Sequence, residues 1–180
     1  MSAVDTDLGA DFGAGLSADD FKLAFRNHAA GVAVITADVG DGPVAMTATS
    51  VFSVSAEPPL LVFSISDMSS STPTIEQAKT VVVHLLEAEQ YPLAKLGATH
   101  GVDRFADTTQ WTRLPTGEVV FPAAHAWIRG EIVQRTRAGQ SILVTVHALE
   151  AKLPDPADAA APLVYYNRQW HALTEQSRLG

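Results

Sequence analysis

Residues 46–72 read MTATSVFSVSAEPPLLVFSISDMSSST, and this stretch decides the predicted fold. Residues 51–55 alternate apolar and polar side chains, which predicts a β-strand. Glu57-Pro58-Pro59 ends that strand, because proline cannot donate to a β-ladder and restricts the residue before it. Residues 60–66 are almost wholly apolar and predict a second strand that is buried on both faces. The stretch therefore predicts two strands that lead into a helix start.

Hydroxyl side chains flank both predicted strands. Thr47-Ala48-Thr49-Ser50 places three hydroxyls and one small side chain where a flat ring system could approach the backbone. After the second strand, a Ser/Thr run closes with Thr72 as the predicted helix N-cap and Pro73 as the first helical residue. Such a helix start leaves backbone N–H groups free to bind phosphate. The stretch therefore predicts a site for a phosphorylated, planar ligand.

Ordinary turn chemistry offers an alternative explanation of the same residues. Clusters of Ser and Thr between strands and helices usually form turns and caps without binding any ligand. On this interpretation the hydroxyls form hydrogen bonds only to the backbone, and the protein is a barrel with no cofactor.

The composition is that of one globular domain. The chain has 180 residues, of which 47% are hydrophobic and 18% are charged, and no apolar run is long enough to span a bilayer. The absence of cysteine excludes disulfides, Cys-ligated zinc and thiol catalysis. The net charge of −8 and the scattered Lys and Arg residues argue against binding to nucleic acid or to a membrane surface. We expect a cytoplasmic enzyme.

The N-terminal residues divide into a tail and a helix. Residues 1–16 are rich in Asp, Gly and Ala and predict a flexible tail, so the predicted domain spans residues 17–175. Ser17 and Asp20 have the spacing of a capping box. A helix ending near Gly31 follows, and one of its faces carries Phe21, Ala24, Phe25 and His28. We expect His28 to be a helix-end residue rather than a ligand.

The remaining patterns predict a mainly β protein. Further strands are expected at residues 32–39, 81–86, 119–121, 126–135, 142–149 and 163–170, and helices at residues 73–79 and 87–98. His84 lies inside one of these strands, where we expect a core histidine with satisfied hydrogen bonds. About seven strands at hairpin spacing predict an antiparallel barrel, closed or partly open, with two or three inserted helices.

The motifs of hydrolytic and metal-dependent catalysis do not occur in the sequence. It contains no HExxH, GxSxG or Walker motif and no GxGxxG after a strand, and its six His are isolated from one another. Hydrolytic and metal-dependent catalysis are therefore unsupported, and we predict no metal site. A bound organic cofactor is the better hypothesis, because such cofactors bring their own reactivity.

Five short groups of residues follow one another in a recognisable order. They are Phe25-Arg26 with residues 30–36, residues 47–55 before Glu57-Pro58-Pro59-Leu60, residues 69–72, Asp103-Arg104-Phe105, and residues 162–166 leading to Trp170. From residue 21 to residue 173 this order resembles the flavin reductase family, the reductase components of two-component flavin-dependent monooxygenases. The resemblance implies an FMN-binding fold: a mainly β, antiparallel Greek-key split β-barrel with a few inserted helices.

The resemblance also implies the ligand-binding residues. In the family, the segment matching residues 47–50 lies along the isoalloxazine ring, and the segment matching residues 64–71 contacts the ribityl chain and the phosphate. The implied FMN-binding residues are Met46, Thr47, Ala48, Thr49, Ser50, Ser64, Ile65, Ser66, Asp67, Ser70, Ser71, Thr72, Arg104 and Phe105. The implied nicotinamide-binding residues are Tyr165, Tyr166, Asn167 and Arg168. Without the resemblance, the last four residues would be read as part of a final barrel strand with an aromatic inner face.

The implied activity is NAD(P)H-dependent flavin reduction. A hydride passes from NADH or NADPH to N5 of FMN, with FAD as an alternative flavin, and the reduced flavin goes to a partner oxygenase or to dioxygen. No side chain has to act as an acid or base in that step, so the protein supplies orientation and excludes water. Members of the family are usually homodimers with the flavin close to the subunit interface.

One departure from the family concerns the nicotinamide half of the site. Where the family commonly has Gly-Asp-His, this chain has Gly139-Gln140-Ser141. The alternative hypothesis is therefore an FMN-binding split-barrel protein without NAD(P)H turnover, either a flavin carrier or a flavoenzyme that acts on another substrate. Flavin-dependent oxidation of NAD(P)H distinguishes the two hypotheses.

Overall fold

The structure of the protein, a computed structural model, describes residues 4–7, 13–155 and 160–180. Its strands are β1 (Val4–Asp7), β2 (Ala30–Gly31), β3 (Ala33–Ala37), β4 (Val44–Ala48), β5 (Phe52–Ala56), β6 (Pro59–Ser66), β7 (Thr80–Leu85), β8 (Thr112–Arg113), β9 (Val119–Val120), β10 (Ala126–Ala138), β11 (Ser141–Lys152), β12 (Leu163–Tyr166) and β13 (Gln169–Ala172). The α-helices are α1 (Ala18–Arg26), α2 (Thr72–Gln77) and α3 (Tyr91–Ala98), and short 3-10 helices lie at Ala88–Gln90 and Glu175–Ser177. The prediction of a mainly β fold is confirmed.

The main sheet curves into a split barrel. Its hydrogen-bonded order is β4-β3-β7-β10-β11-β6-β5, and each neighbouring pair in this order is antiparallel. Among the described strands, β4 and β5 at the two ends of this order are not hydrogen-bonded to each other. The predicted antiparallel split barrel is therefore confirmed, and its open seam lies between β4 and β5.

Alternate residues of the strands fill the barrel interior. Ile35, Phe63, Ile65, Val83 and Val144 belong to one buried cluster, and none of them is more than 1% exposed. Successive side chains of a strand point to opposite faces of a sheet, so this cluster uses only one face of each strand. The strongly apolar patterns of residues 60–66 and 81–86 correspond to β6 and β7, as predicted.

A second apolar layer covers the outer face of β3. Val34 and Phe121 belong to a separate buried cluster on that side. Helix α3 packs closely on β4, because a Cβ atom at Gly97 would lie 3.1 Å from the backbone N of Thr47 and would also collide with the Thr47 hydroxyl. All five residues of β3 are therefore buried.

Four residues of the predicted N-terminal tail belong to the barrel sheet. Val4–Asp7 form β1 and pair in parallel with residues 134–137 of β10. Backbone hydrogen bonds to β10 hold these four residues in the sheet, although the segment has little apolar content of its own. The domain boundary at residue 17 stays a prediction. The predicted tail at residues 1–3 and 8–12 lies outside the described residues.

The N-terminal helix begins as predicted but ends earlier. Ser17 is the N-cap, and its Oγ accepts a hydrogen bond from the Asp20 N–H at 3.1 Å. The helix ends at Arg26, not near Gly31. Phe21 and Phe25 lie on one face but are 54% and 58% exposed, and no residue of α1 is buried. The apolar face of this helix therefore does not pack into the core.

The single strand predicted over residues 163–170 is wrong. These residues form the hairpin β12–β13, in which Tyr166 pairs with Gln169. The two turn residues, Asn167 and Arg168, have φ angles of 47° and 62°. Two-residue hairpin turns of this kind usually carry glycine, and its absence here hides the turn from sequence patterns.

Candidate functional site

One cavity of about 780 Å³ lies between helix α1, the β4–β5 connection and the β12–β13 turn. It is lined by Phe21, Lys22, Phe25 and Arg26 and by residues 28–31, 49–52 and 165–168. Its volume falls within the range of small-molecule and cofactor sites. It brings two of the predicted groups together, since Thr49 and Ser50 of the flavin segment face the same space as the four predicted nicotinamide-binding residues.

Backbone hydrogen bonds fix the walls of this cavity. The Asn167 N–H donates to the Arg26 carbonyl at 3.0 Å, which ties the end of α1 to the β12–β13 turn. Strand β12 also pairs with β2, so that Tyr165 lies opposite Ala30. The Tyr165 ring is supported from behind by Trp170, with ring centroids 4.9 Å apart. Elements from opposite ends of the chain therefore build one wall.

Arg168 occupies a backbone conformation that disfavours its side chain. Its φ of 62° lies in the left-handed region, where a residue with a Cβ atom other than Asn or Asp loses roughly 1 kcal/mol. Asn167, at φ 47°, tolerates the same region better. Glycine would relieve the strain at residue 168, yet the chain has an arginine there.

The hydroxyls of residues 47–50 differ in what they can offer a ligand. Thr47 donates to the Ala94 carbonyl at 2.6 Å and so serves the packing of α3. Ser50 accepts from the Ser64 N–H at 3.1 Å and from the Ser64 hydroxyl at 2.9 Å, and it donates to the Ser64 carbonyl at 3.3 Å. Among the described residues, the exposed Thr49 hydroxyl has no partner. Thr49 is therefore the hydroxyl of this segment that is free to bind.

The other predicted residues of β4 and β6 lie in the barrel wall rather than in the cavity lining. Ala48 and Ile65 are buried, and Met46 packs against the same interior cluster. Ser64 contacts the cavity-lining residue Ser50 but does not line the cavity itself. Ser66 is the exposed last residue of β6. These residues support the site without lining it in the single chain.

The predicted phosphate segment is largely occupied by its own hydrogen bonds. Ser71, not Thr72, is the N-cap residue of α2, and its buried hydroxyl donates to the Ala45 carbonyl at 3.1 Å. Thr72 is the first helical residue and donates to the Ser66 carbonyl at 2.6 Å. The assignment of Thr72 as N-cap is therefore corrected by one residue. Ser70 is exposed, and Asp67 pairs with Arg137 at 3.1 Å.

Arg104 and Phe105 are not among the residues that line the cavity. Arg104 donates to the Thr99 carbonyl at 2.8 Å, at the end of α3. Phe105 stacks on Phe121 with centroids 5.6 Å apart, and its carbonyl accepts from the Trp111 indole at 3.0 Å. In this chain both residues therefore fix the loop that covers the outer apolar layer.

Gly139 and Gln140 form the tight turn between β10 and β11, and Ser141 is the first residue of β11. The Gln140 carbonyl accepts from the Asp67 N–H at 3.0 Å, and Ser141 pairs with Ser66. Within the chain, the departure from the family pattern therefore lies next to the predicted phosphate segment and not among residues 165–168.

His84 is a satisfied core histidine, as predicted. Its Nδ1–H donates to the Val34 carbonyl at 2.9 Å, and its Nε2 accepts from the Phe121 N–H at 3.1 Å, which requires the neutral ring. Burial disfavours the charged form and lowers the pKa of His84 to about 4, although the Val34 hydrogen bond acts in the opposite direction. The described residues contain no group of three or more His, Asp or Glu that could hold a metal ion. No helix in the described segments is long and apolar enough to cross a bilayer.

The fold has clear counterparts among solved structures. A flavin reductase domain protein from Arthrobacter sp. FB24 superposes with a TM-score of 0.81 at 31% identity, covering 87% of this chain and 95% of that one. BorF, the flavin reductase component of a bacterial two-component tryptophan halogenase, gives a TM-score of 0.78 at 27% identity, covering 88% of this chain and 99% of that one. The architecture is therefore that of the split-barrel flavin reductases.

Sequence comparison gives the same family. Residues 25–174 match the family model of the flavin reductase like domain. An NADH:FMN oxidoreductase from Rhodococcus qingshengii is 42% identical over 165 residues, which cover 89% of this chain and 84% of that protein. The chain belongs to the flavin reductase-like domain family, as its sequence motifs predicted.

Several cavity residues were not predicted to bind a ligand. Phe21, Lys22, Phe25, Arg26 and His28 come from α1 and its end. Two signals pointed toward them: the apolar face of the helix, and Phe25-Arg26 as one of the family-like groups. Neither signal shows which surface the helix faces, because that depends on contacts with the C-terminal hairpin.

Proposed function

We propose that the protein is an NAD(P)H-dependent flavin reductase that reduces FMN and supplies the reduced flavin to a partner monooxygenase. The observation that carries this proposal is the single cavity that joins Thr49 and Ser50 to Tyr165, Tyr166 and Arg168. The membership of the family and the relatives named as NADH:FMN oxidoreductases support it.

The residues around the cavity fit a flavin and a nicotinamide nucleotide. Phe21, Phe25, Tyr165 and Tyr166 offer aromatic surfaces to planar rings. Lys22, Arg26 and Arg168 offer positive charge to phosphates, and none of the described lining residues is Asp or Glu. Both ligands bring their own redox chemistry, in which the nicotinamide donates a hydride and the flavin accepts it.

The role of the protein side chains is to bind and orient. Thr49 provides a free hydroxyl, while the Ser50 hydroxyl is held by its hydrogen bonds to Ser64. Tyr165, backed by Trp170, forms a fixed aromatic wall. Such rigid contacts position two reactants and exclude water from between them. Hydride transfer between the two ligands needs no acid or base from the protein.

The test is oxidation of NADH and NADPH at 340 nm by the purified protein, with and without added FMN. We expect flavin-dependent turnover at about one per second or more. Quenching of FMN fluorescence on binding without any turnover would contradict the proposal and favour the flavin-binding protein that lacks NAD(P)H activity. Repeating the assay with FAD and riboflavin measures the preference for the flavin.

We also propose a homodimer that covers β5. Phe52 and Val54 are 57% and 54% exposed on this edge strand, and Phe52 also lines the cavity. An exposed apolar edge strand is a surface that proteins usually cover. A second copy placed there would close the open side of the cavity. Val54→Asp should convert a dimer to a monomer in light scattering coupled to gel filtration, whereas a wild-type monomer at micromolar concentration would contradict the proposal.

We propose that the reduced flavin passes to a flavin-dependent oxygenase in the cytoplasm. Oxygenase turnover that depends on this protein, NADH and FMN, together with recovery of the protein in the cytoplasmic fraction, is the expected result. Recovery in the membrane or periplasmic fraction would contradict the location.

A further inference from the structure

Two arginines that face the cavity have no partner in the protein. The structure describes all eight arginines of the chain, and six of them form ion pairs or donate to backbone carbonyls. The remaining two, Arg26 and Arg168, have neither kind of partner among the described residues, and both line the cavity. Unpaired guanidinium groups on one wall are available to an anionic ligand.

The charge around them contrasts with that of the whole chain. The protein carries 20 Asp and Glu residues against 12 Lys and Arg residues, yet the described lining of this cavity contains no carboxylate. Lys22 lies on the same wall, with only a 3.8 Å contact to the exposed Asp19. Anions are attracted to a cationic site and repelled by the rest of an acidic protein surface, so they concentrate at the site.

The backbone brings the two arginines together and keeps one of them at a strained position. The hydrogen bond from the Asn167 N–H to the Arg26 carbonyl links the two segments within one residue of Arg168. At φ 62°, residue 168 is a position that favours glycine. Strain of this kind is retained mainly where a side chain has a function.

We propose that Arg26 and Arg168 together bind a phosphate group of the nucleotide ligand. This inference rests on the proposed reductase function and names the residues that hold the charged end of a ligand. Guanidinium groups suit this role, because their donors match phosphate oxygens in pairs. The phosphate belongs either to the pyrophosphate of the nicotinamide dinucleotide or to FMN. The segment predicted to hold the FMN phosphate, residues 64–71, uses most of its hydroxyls internally, so both sources are tested.

The experiment measures binding to the full-length wild type and to the Arg26→Gln/Arg168→Gln double variant. The probes are two matched pairs: FMN with riboflavin, and ADP-ribose with adenosine. We expect about tenfold weaker binding of one phosphate-bearing probe in the double variant, with its phosphate-free partner unchanged. A loss on FMN assigns the arginines to the flavin, and a loss on ADP-ribose assigns them to the dinucleotide. Arg178→Gln, which removes an arginine outside the cavity, should change neither pair.

Equal loss for the phosphate-bearing and phosphate-free members of a pair, or no loss at all, would overturn the inference. Arg168→Gly supplies an independent check, because relief of the positive φ should keep or raise the melting temperature while phosphate affinity falls. A lower melting temperature with unchanged phosphate affinity would make Arg168 a structural residue. Absence of NADH oxidation by the wild type would refute the reductase but not the arginine site, since these binding measurements need no turnover.

Discussion

Strands β3 and β5 both carry apolar patterns, but the protein covers one and leaves the other open. All five residues of β3 are buried, whereas four of the five residues of β5 are exposed. Strand β3 has the barrel interior on one face and the layer of Val34 and Phe121 on the other. Among the described strands, β5 pairs only with β6. The apolar residues of β3 therefore stabilise the fold, whereas those of β5 remain available to a ligand or a second subunit.

The largest effect is expected from shortening a buried side chain of β3. Ile35 is fully buried, so Ile35→Ala should lower the free energy of unfolding by about 2–5 kcal/mol, because buried methylene groups are lost and the site cannot collapse fully. Urea unfolding measures the loss. In the matched variant of β5, Val54→Ala, the free energy of unfolding should stay within about 0.5 kcal/mol of the wild-type value at low protein concentration. Similar losses of unfolding free energy in both variants would mean that β3 and β5 do not differ in burial.

His84, which lies on β7 opposite Val34 of β3, should also make stability depend on pH. Because burial lowers the pKa of His84 to about 4, against about 6.5 for an unfolded histidine, the unfolded chain binds a proton that the native chain does not. Stability should therefore fall as the pH is lowered from 6.5 toward 4, by about 2 kcal/mol between pH 7 and pH 5.

Urea unfolding at the two pH values tests this prediction. His84→Gln should reduce the difference, and the exposed His100→Gln should not. Equal stability of the wild type at pH 7 and pH 5 would show that His84 does not keep its neutral form in the native state.

The smallest effects on stability are expected at Thr49 and Ser50, which lie between β4 and β5. Ser50→Ala removes the hydrogen bonds that join residue 50 to Ser64 and should cost about 1 kcal/mol. Thr49→Val should leave stability unchanged, because its hydroxyl has no partner among the described residues, but it should weaken FMN binding several-fold. Thermal melting and FMN fluorescence titration separate the two outcomes. An unchanged affinity in Thr49→Val, with a loss in Ser50→Ala, would reverse these roles.

The site was predicted less well than the fold, and the hydroxyl residues show why. Thr47, Thr49 and Ser50 look alike in the sequence, but Thr47 is bonded to Ala94 and Ser50 to Ser64. Those partners are 47 and 14 residues away. A local pattern cannot show which hydroxyl will be used in this way, so the sequence predicts a binding segment but not which of its hydroxyls is free.

What the sequence determined by itself is the position of the long strands of the main sheet, the cap of the first helix, the buried histidine and the family. Each depends on residues close together in the chain: apolar periodicity, a capping residue, or motifs in order. The tertiary structure alone decided that β5 and the apolar face of α1 stay open, that residues 167 and 168 form a turn, and that Arg26 and Arg168 face one cavity. These features depend on hydrogen bonds and packing between distant segments, such as Asn167 to Arg26, whose energies have no local signature in the sequence.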